Sequence, residues 1–312
     1  MASLFRLKPI VAAEDRPPEH QLQRTLSWPH LMAMGIGAIV GTGILTLIGV
    51  GADRAGPAVI LSFVVAGVIC ACAALAYAEM ATMMPASGSA YTYSYAVLGE
   101  IIAWVVGWSL LAEYTLVVSA VAVGWAEHAT GFLISNGVHL PAALSHGPVM
   151  QGWNVTEWGV NLPALFIIAV VAALLCIGTR ESATLNAVLV VVKIAALAVF
   201  VAVALPHFNG ANLEPFSPFG FAKHIGPDGV ERGVMVAASI MFFAFYGFDA
   251  ISTAAEEAKN PGRDLAIGIV GSMAVCVVIY MVIGLTAVGA LHYTQFSHSG
   301  EPLAVILHEI GQ

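Results

Sequence analysis

Lys193 stands in Val190-Val191-Val192-Lys193-Ile194-Ala195-Ala196, with no other charged residue within seven positions. A charged side chain at the centre of a membrane helix costs ~2.5–3.5 kcal/mol on the insertion scale, so it reads as functional by default. The chemistry open to it is proton transfer, because an amine in a low-dielectric interior gives up its proton more readily than one in water. The plainer reading is a structural amine bonded to carbonyls freed where a helix breaks, and the two overlap. Glu113, in Leu110-Leu111-Ala112-Glu113-Tyr114, is a second charge inside an apolar run. It reads as a proton relay, as a selector of substrate charge, or as a carboxylate bonded to a neighbouring helix. Asp249 is a helix cap or a restraint on a gate. Glu79, Glu256 and Glu257 lie near predicted cytoplasmic helix ends and read as solvated or salt-bridged, with a cytoplasmic gate as the alternative.

Such charges need elements to hold them, and two stretches stand out. Residues 35–44 read Gly-Ile-Gly-Ala-Ile-Val-Gly-Thr-Gly-Ile inside an apolar run over 30–50 that is long enough to cross a bilayer. Lipid offers no partner to freed backbone groups, and glycine weakens a helix by up to ~1 kcal/mol, so Gly41-Thr42-Gly43 predicts a break lining a cavity. Gly37 and Gly41 also form a GxxxG spacing, which serves close helix packing. A nucleotide-binding loop is disfavoured by context: no strand precedes it, no polar helix face follows, and no acidic residue stands on a strand about 20 positions on. The second stretch is Phe242-Phe243-Ala244-Phe245-Tyr246-Gly247-Phe248-Asp249. The two breaks are expected to face each other and form one substrate site, as in transporters with discontinuous helices. That site takes in Ile39, Gly41, Thr42 and Gly43 from the first break, and Phe243, Ala244, Phe245 and Tyr246 from the second.

Composition agrees. Of 312 residues, 59% are hydrophobic and 10% charged, and mean hydropathy is +0.87, which marks an all-α polytopic membrane protein. The net charge of −8 suggests no nucleic-acid partner. Cys70, Cys72, Cys176 and Cys276 all sit in apolar runs and read as small hydrophobes. The ten histidines form no ligand-spaced cluster. No metal or cofactor is expected, and no catalytic cluster, so an enzyme is not. The first 29 residues lack the apolar core of a signal peptide.

In chain order, a mixed-charge tail over 1–29, disordered up to Trp28, precedes helices predicted at 30–50, 58–82, 100–125, 162–178, 183–205, 232–258 and 264–291. An eighth begins at Pro302. Tight turns are expected at 51–57 and 179–182, an interfacial tyrosine segment at 83–98, and a loop with one short helix at 126–160. Asp264 is the expected N-cap of the seventh helix. Arg6, Lys8, Arg16, Arg24, Arg180, Lys259 and Arg263 fall on one side, and Arg54, Lys223 and Arg232 on the other. The positive-inside rule then places the N-terminus in the cytoplasm. Breaks in the first and sixth helices, five apart and oppositely directed, form the pattern of an inverted repeat. The domain reading is a first repeat over 30–205, an extracytoplasmic loop over 206–231, and a second, incomplete repeat over 232–312.

With these residues in place, the chain resembles bacterial amino-acid permeases of the amino acid–polyamine–organocation superfamily, closest to the cationic amino acid transporter branch. The motifs are GIGAIVGTGIL (35–45), AEM…PASGSAYTYSYAVLGE (78–100), GWSLLAEYTL (107–116) and FFAFYGFDAISTAAEEAKNPGRD (242–264). The resemblance implies a LeuT-like bundle of inverted five-helix repeats, the second represented here by two helices and the start of a third. It implies that Thr42 and Gly43 offer N–H groups to a substrate carboxylate, and that carbonyls around Ile39, Phe243, Ala244 and Tyr246 take the ammonium. Lys193 matches the family's helix-5 lysine, which implies proton coupling, and Glu113 its helix-3 acid. Ser109 and Ala266 depart from the pattern, at positions where an acid and a proline are common. The expected function is proton-coupled amino-acid transport by alternating access in a bacterial inner membrane. The alternatives are a non-transporting fragment and an amino-acid-binding sensor or regulatory subunit. Oligomeric state and the choice of amino acid are left open.

Overall fold

The structure, a computed structural model, describes residues 6–9, 22–151, 154–177 and 179–312. Arg16, named above, and position 178, the predicted end of the fourth helix, lie outside the described residues. The first apolar run folds as two half-helices, α1 (Trp28–Ile39) and α2 (Thr42–Ala55). Val40 donates the last helical bond of α1, to the Ile36 carbonyl at 2.8 Å, but is extended (φ −73°, ψ 105°), and Gly41 has φ −164° and ψ −145°, so the helix ends here. The break falls where the glycines predict it, but α2 runs five residues past the expected end at 50. Ala52 and Ala55 are buried, and only at Gly56, with φ +65°, does the chain adopt a backbone that ends the helix. The predicted turn over 51–57 is therefore largely helical, and a 3-10 turn (Gly56–Ala58) leads into α3 (Val59–Met83).

The tyrosine segment is α4 (Ser89–Val97). On a helix, alternate residues do not share a face; accordingly Tyr93 is buried, while the Tyr91 and Tyr95 rings meet edge to face at 6.0 Å. Next, α5 spans Glu100–Ser135, ten residues beyond its predicted end at 125. The following loop holds the expected short helix, α6 (Ala142–Ser145), and an unexpected hairpin of β1 (Val149–Gln151) and β2 (Asn154–Glu157). Then come α7 (Leu162–Ile177) and α8 (Thr179–Ala204). Residues 179–182, read as a turn, belong to α8.

A second hairpin pairs β3 (His224–Ile225) with β4 (Glu231–Arg232). Its turn is tied by Arg232 donating to Asp228 at 2.7 Å, which holds that exposed carboxyl down to about 2. Both hairpins lie in loops, so the all-α expectation holds for the apolar segments and not for their connections. The chain continues as α9 (Val234–Ala244), α10 (Ala250–Thr253), α11 (Pro261–Ala290) and α12 (Pro302–Glu309). Asn260, not Asp264, is the N-cap of α11; Asp264 lies buried in the first turn, its N–H bonded to the Asn260 carbonyl at 2.8 Å.

Among the described residues, Thr42–Met83, Glu100–Ser135, Val188–His207 and Pro261–Ala290 are long and apolar enough to cross a membrane. The protein is a multi-pass membrane protein. Its core is a bundle of α1, α2, α3, α9 and α11. Small residues bring these helices together: α11 passes Leu31 of α1 at Gly268, where a Cβ would come within 2.8 Å of the leucine side chain. Phe63, Phe245 and Tyr280 form an aromatic cluster at its centre, with ring centroids 5.0–6.5 Å apart.

Some of the basic residues can be placed in two groups. Leu26 pairs with the segment after α10: its N–H bonds to Glu257 and its carbonyl accepts from Lys259 at 2.7 Å. The tail is thus anchored before Trp28, where the sequence suggested disorder. In the second group Asp53 gathers Arg54 at 3.0 Å, His298 at 3.8 Å and Arg232 at 4.0 Å.

Candidate functional site: two interlocked helix breaks

The two breaks touch. A Cβ on Gly43 would lie 2.6 Å from the Cα of Ala244, at the end of α9. Reciprocally, a Cβ on Gly247 would lie 3.0 Å from the backbone of Ala38 in α1, and Gly247 holds φ +110°, a conformation that favours glycine. Each break therefore uses a glycine to admit the other's backbone. Gly41 differs, since a Cβ there would meet nothing within 4 Å. Gly43 serves contact between the breaks, and Gly41 borders open space.

Backbone polarity follows from the helix ends. Thr42 and Gly43 open α2, so their N–H groups have no acceptor within the helix. Opposite them, the last carbonyls of α1 and α9 lack helical donors. Side chains from remote helices answer some of this need. Lys193 of α8 donates to the carbonyls of Gly37 and Val40, at 2.5 and 2.7 Å. Tyr280 of α11, fully buried, places its hydroxyl 2.8 Å from both the Ile39 and the Ala244 carbonyl. The Phe243 carbonyl accepts from Tyr246 N–H at 3.2 Å within the turn. Lys193 is thus an amine seated on the freed carbonyls of a broken helix.

Tyr280 is the residue that sequence reasoning missed. Its signal was a hydroxyl in the apolar run Val277-Val278-Ile279-Tyr280-Met281, because a buried tyrosine hydroxyl needs a partner.

Asp249 sits at the N-cap position of α10 without capping it through its side chain. Its carboxylate accepts instead from the Tyr114 hydroxyl of α5 at 2.9 Å. The cap reading is therefore corrected, while the bond between α5 and the second break is the kind a gate restraint would use. The Tyr114 ring meets Tyr246 edge to face at 6.1 Å, and Tyr246 stacks on Phe243 at 6.2 Å. Phe245 points away, fully buried against Phe63 and Tyr280, so it belongs to the core rather than to the facing surfaces of the breaks. Glu113 lies beside Tyr114 on α5, exposed and facing the field of Asp249. Glu256 is buried and accepts from the Ser87 N–H and hydroxyl at 3.0 and 3.2 Å, so of the two readings, solvated or salt-bridged, it does not fit the solvated one.

Among the described residues, no group of His, Cys, Asp or Glu side chains could hold a metal ion. The arrangement sets backbone N–H groups of one helix end beside the carbonyl ends of two others, groups of opposite polarity.

Interlocked breaks inside a bundle of apolar helices define a class: membrane proteins with discontinuous helices. Within it, this chain belongs to the amino acid permease family, whose profile matches residues 26–310. It is 43% identical over 313 residues to the branched-chain amino acid permease BcaP of Bacillus subtilis (strain 168), covering 99% of this chain and 64% of that protein. It is 40% identical to the methylthioribose transporter of the same organism, covering all of this chain and 65% of that one. Cationic amino acid transporter 2, vacuolar, of Arabidopsis thaliana is 38% identical, with 93% of this chain and 45% of that protein covered. The chain thus spans just under two thirds of the bacterial relatives and about half of the plant one. All three are named as permeases or transporters.

Proposed function

We propose that this protein contributes to secondary active transport of an α-amino acid across the cell membrane, by alternating access at the two breaks. The observation that carries this is the meeting of a helix N-terminus at Thr42 and Gly43 with the carbonyl ends of α1 and α9, bordered by open space at Gly41. The substrate carboxylate takes the N–H groups of Thr42 and Gly43, and its ammonium the carbonyls near Ile39 and Ala244. Its side chain faces Phe243, Tyr246 and Tyr114. Lys193 carries the coupled proton. Charged, its three N–H donors hold the end of α1; neutral, it holds that end more weakly and lets the half-helix move. By the positive-inside rule, the N-terminal segment lies in the cytoplasm. Sequence separation and opposite direction support relating the two breaks by an inverted repeat.

The name of the 43% identical relative makes a branched-chain amino acid the first substrate to test, with a cationic one second because of Glu113 and Asp249. The test is uptake by the protein reconstituted in vesicles. Gly41→Val, whose side chain enters open space, should abolish uptake without lowering thermal stability; unchanged uptake refutes the site. Lys193→Ala should retain exchange and lose its response to an imposed proton gradient, and a wild-type pH profile refutes the proton role. Binding without counterflow in the wild type would favour the sensor reading.

A further inference from the structure

A cavity of about 290 Å³ lies between α4 and the start of α5, on the side to which the N-terminal segment is bonded. Its walls are the rings of Tyr91, Tyr95, Trp104 and Trp108 together with Glu100 and Leu111. The tyrosine rings meet edge to face at 6.0 Å and the tryptophan rings at 6.2 Å. Gly107 makes the wall continuous, since a Cβ there would come within 3.2 Å of the Tyr91 ring. Glu100 is the charged residue of this lining. Four π faces and one carboxylate select a cation, and one with an organic stem, since rings bind ammonium groups through their quadrupole.

Geometry narrows the source of that cation. Glu100, Trp104, Trp108 and Leu111 recur at spacings of four, four and three, which is one stripe of a helix. The stripe rises ~16 Å from first to last at 1.5 Å per residue, about half the thickness of a bilayer's hydrocarbon core. It runs in order from carboxylate through indole to aliphatic side chain. A phospholipid presents the same order from head to tail: a charged headgroup, a glycerol region where tryptophan is enriched, and an acyl chain. Trp104, Trp108 and Leu111 are 59–63% exposed, so the groove opens along its length to the surroundings. The carboxylate disfavours an anionic headgroup.

We propose that this groove binds one phospholipid bearing an ammonium headgroup, of the ethanolamine type. The ammonium sits between Glu100 and the rings, and an acyl chain lies along Trp108 and Leu111.

Native mass spectrometry of the purified protein tests this, with phosphatidylethanolamine and phosphatidylglycerol of matched chains. Retention should favour the ethanolamine lipid about fivefold, a size set by cation–π and ion-pair energies, and Glu100→Gln should remove the preference. Trp104→Leu should weaken retention of that lipid, while thermal unfolding confirms that both variants stay folded. Equal retention of the two lipids, or a preference unchanged in Glu100→Gln, overturns the proposal and leaves the stripe to a covering helix. Displacement of the lipid by millimolar free ethanolamine overturns the lipid assignment in favour of a soluble amine.

Discussion

The bundle of α1, α2, α3, α9 and α11 and the arm of α5 and α7 are both apolar, yet they are built differently. In its most apolar stretch, Thr42–Met83 is 44% buried and Pro261–Ala290 is 39% buried, against 6% for Glu100–Ser135. Small residues and remote hydrogen bonds hold the bundle. The arm has a small cluster of its own, Ala122, Ala126 and Ala164, and shows Leu116 and Phe166 at 69% and 59% exposure. Hydrophobicity alone therefore does not distinguish a helix that makes the site from one that borders it. In lipid, burial of apolar area supplies no force between helices, so close packing and polar bonds must do so. The bundle has both, whereas the arm meets it at a few points, among them the Tyr114–Asp249 bond and the approach of Gly124 to Thr42.

That contrast can be broken deliberately. The largest effect is expected from Gly247→Val, which forces a branched side chain into φ +110° and into the backbone of Ala38. Strain and overpacking together should cost roughly 2–5 kcal/mol, seen as a lower unfolding temperature and lost uptake. Next is Tyr280→Phe, which removes the hydroxyl shared by Ile39 and Ala244. About 1–3 kcal/mol should be lost, because buried carbonyls are left without a donor, and thermal unfolding would show it. Smallest is Leu116→Ala on the arm. At 69% exposure it should change stability by less than about 0.5 kcal/mol. A loss above 2 kcal/mol there would show that the arm is packed in the membrane as tightly as the bundle.

Much of the site was legible in the sequence, for a physical reason. Gly41-Thr42-Gly43 and Tyr246-Gly247 are local departures from helix-forming composition, and a lone lysine in Val190–Ala196 has few ways to be satisfied. The breaks fall where those residues stand, and Lys193 reaches them. What escaped was set by distant contacts or by subtle ends. Tyr280 acts on a residue 241 positions away, and nothing near it in sequence names that partner. The side of the second break on which Phe245 falls depends on Phe63 and Tyr280. The extra ten residues of α5 lack a strong breaker until Asn136-Gly137, so local composition gave no reason to stop at 125. Alternating tyrosines over 91–95 imitate a strand period, yet they fold as α4.

The Tyr280 hydroxyl carries a single proton, and two carbonyls lie within its reach. It can serve both only while Ile39 and Ala244 stay side by side. Separating the breaks by an ångström or two strands one carbonyl without a donor, and the hydroxyl must choose a side. The bundle thus contains a sharing arrangement, one donor to two acceptors, that lasts only while the two breaks stay in contact and is one donor short once they part. An arriving group with hydrogens to spare would make good that deficit, and one without would leave it standing.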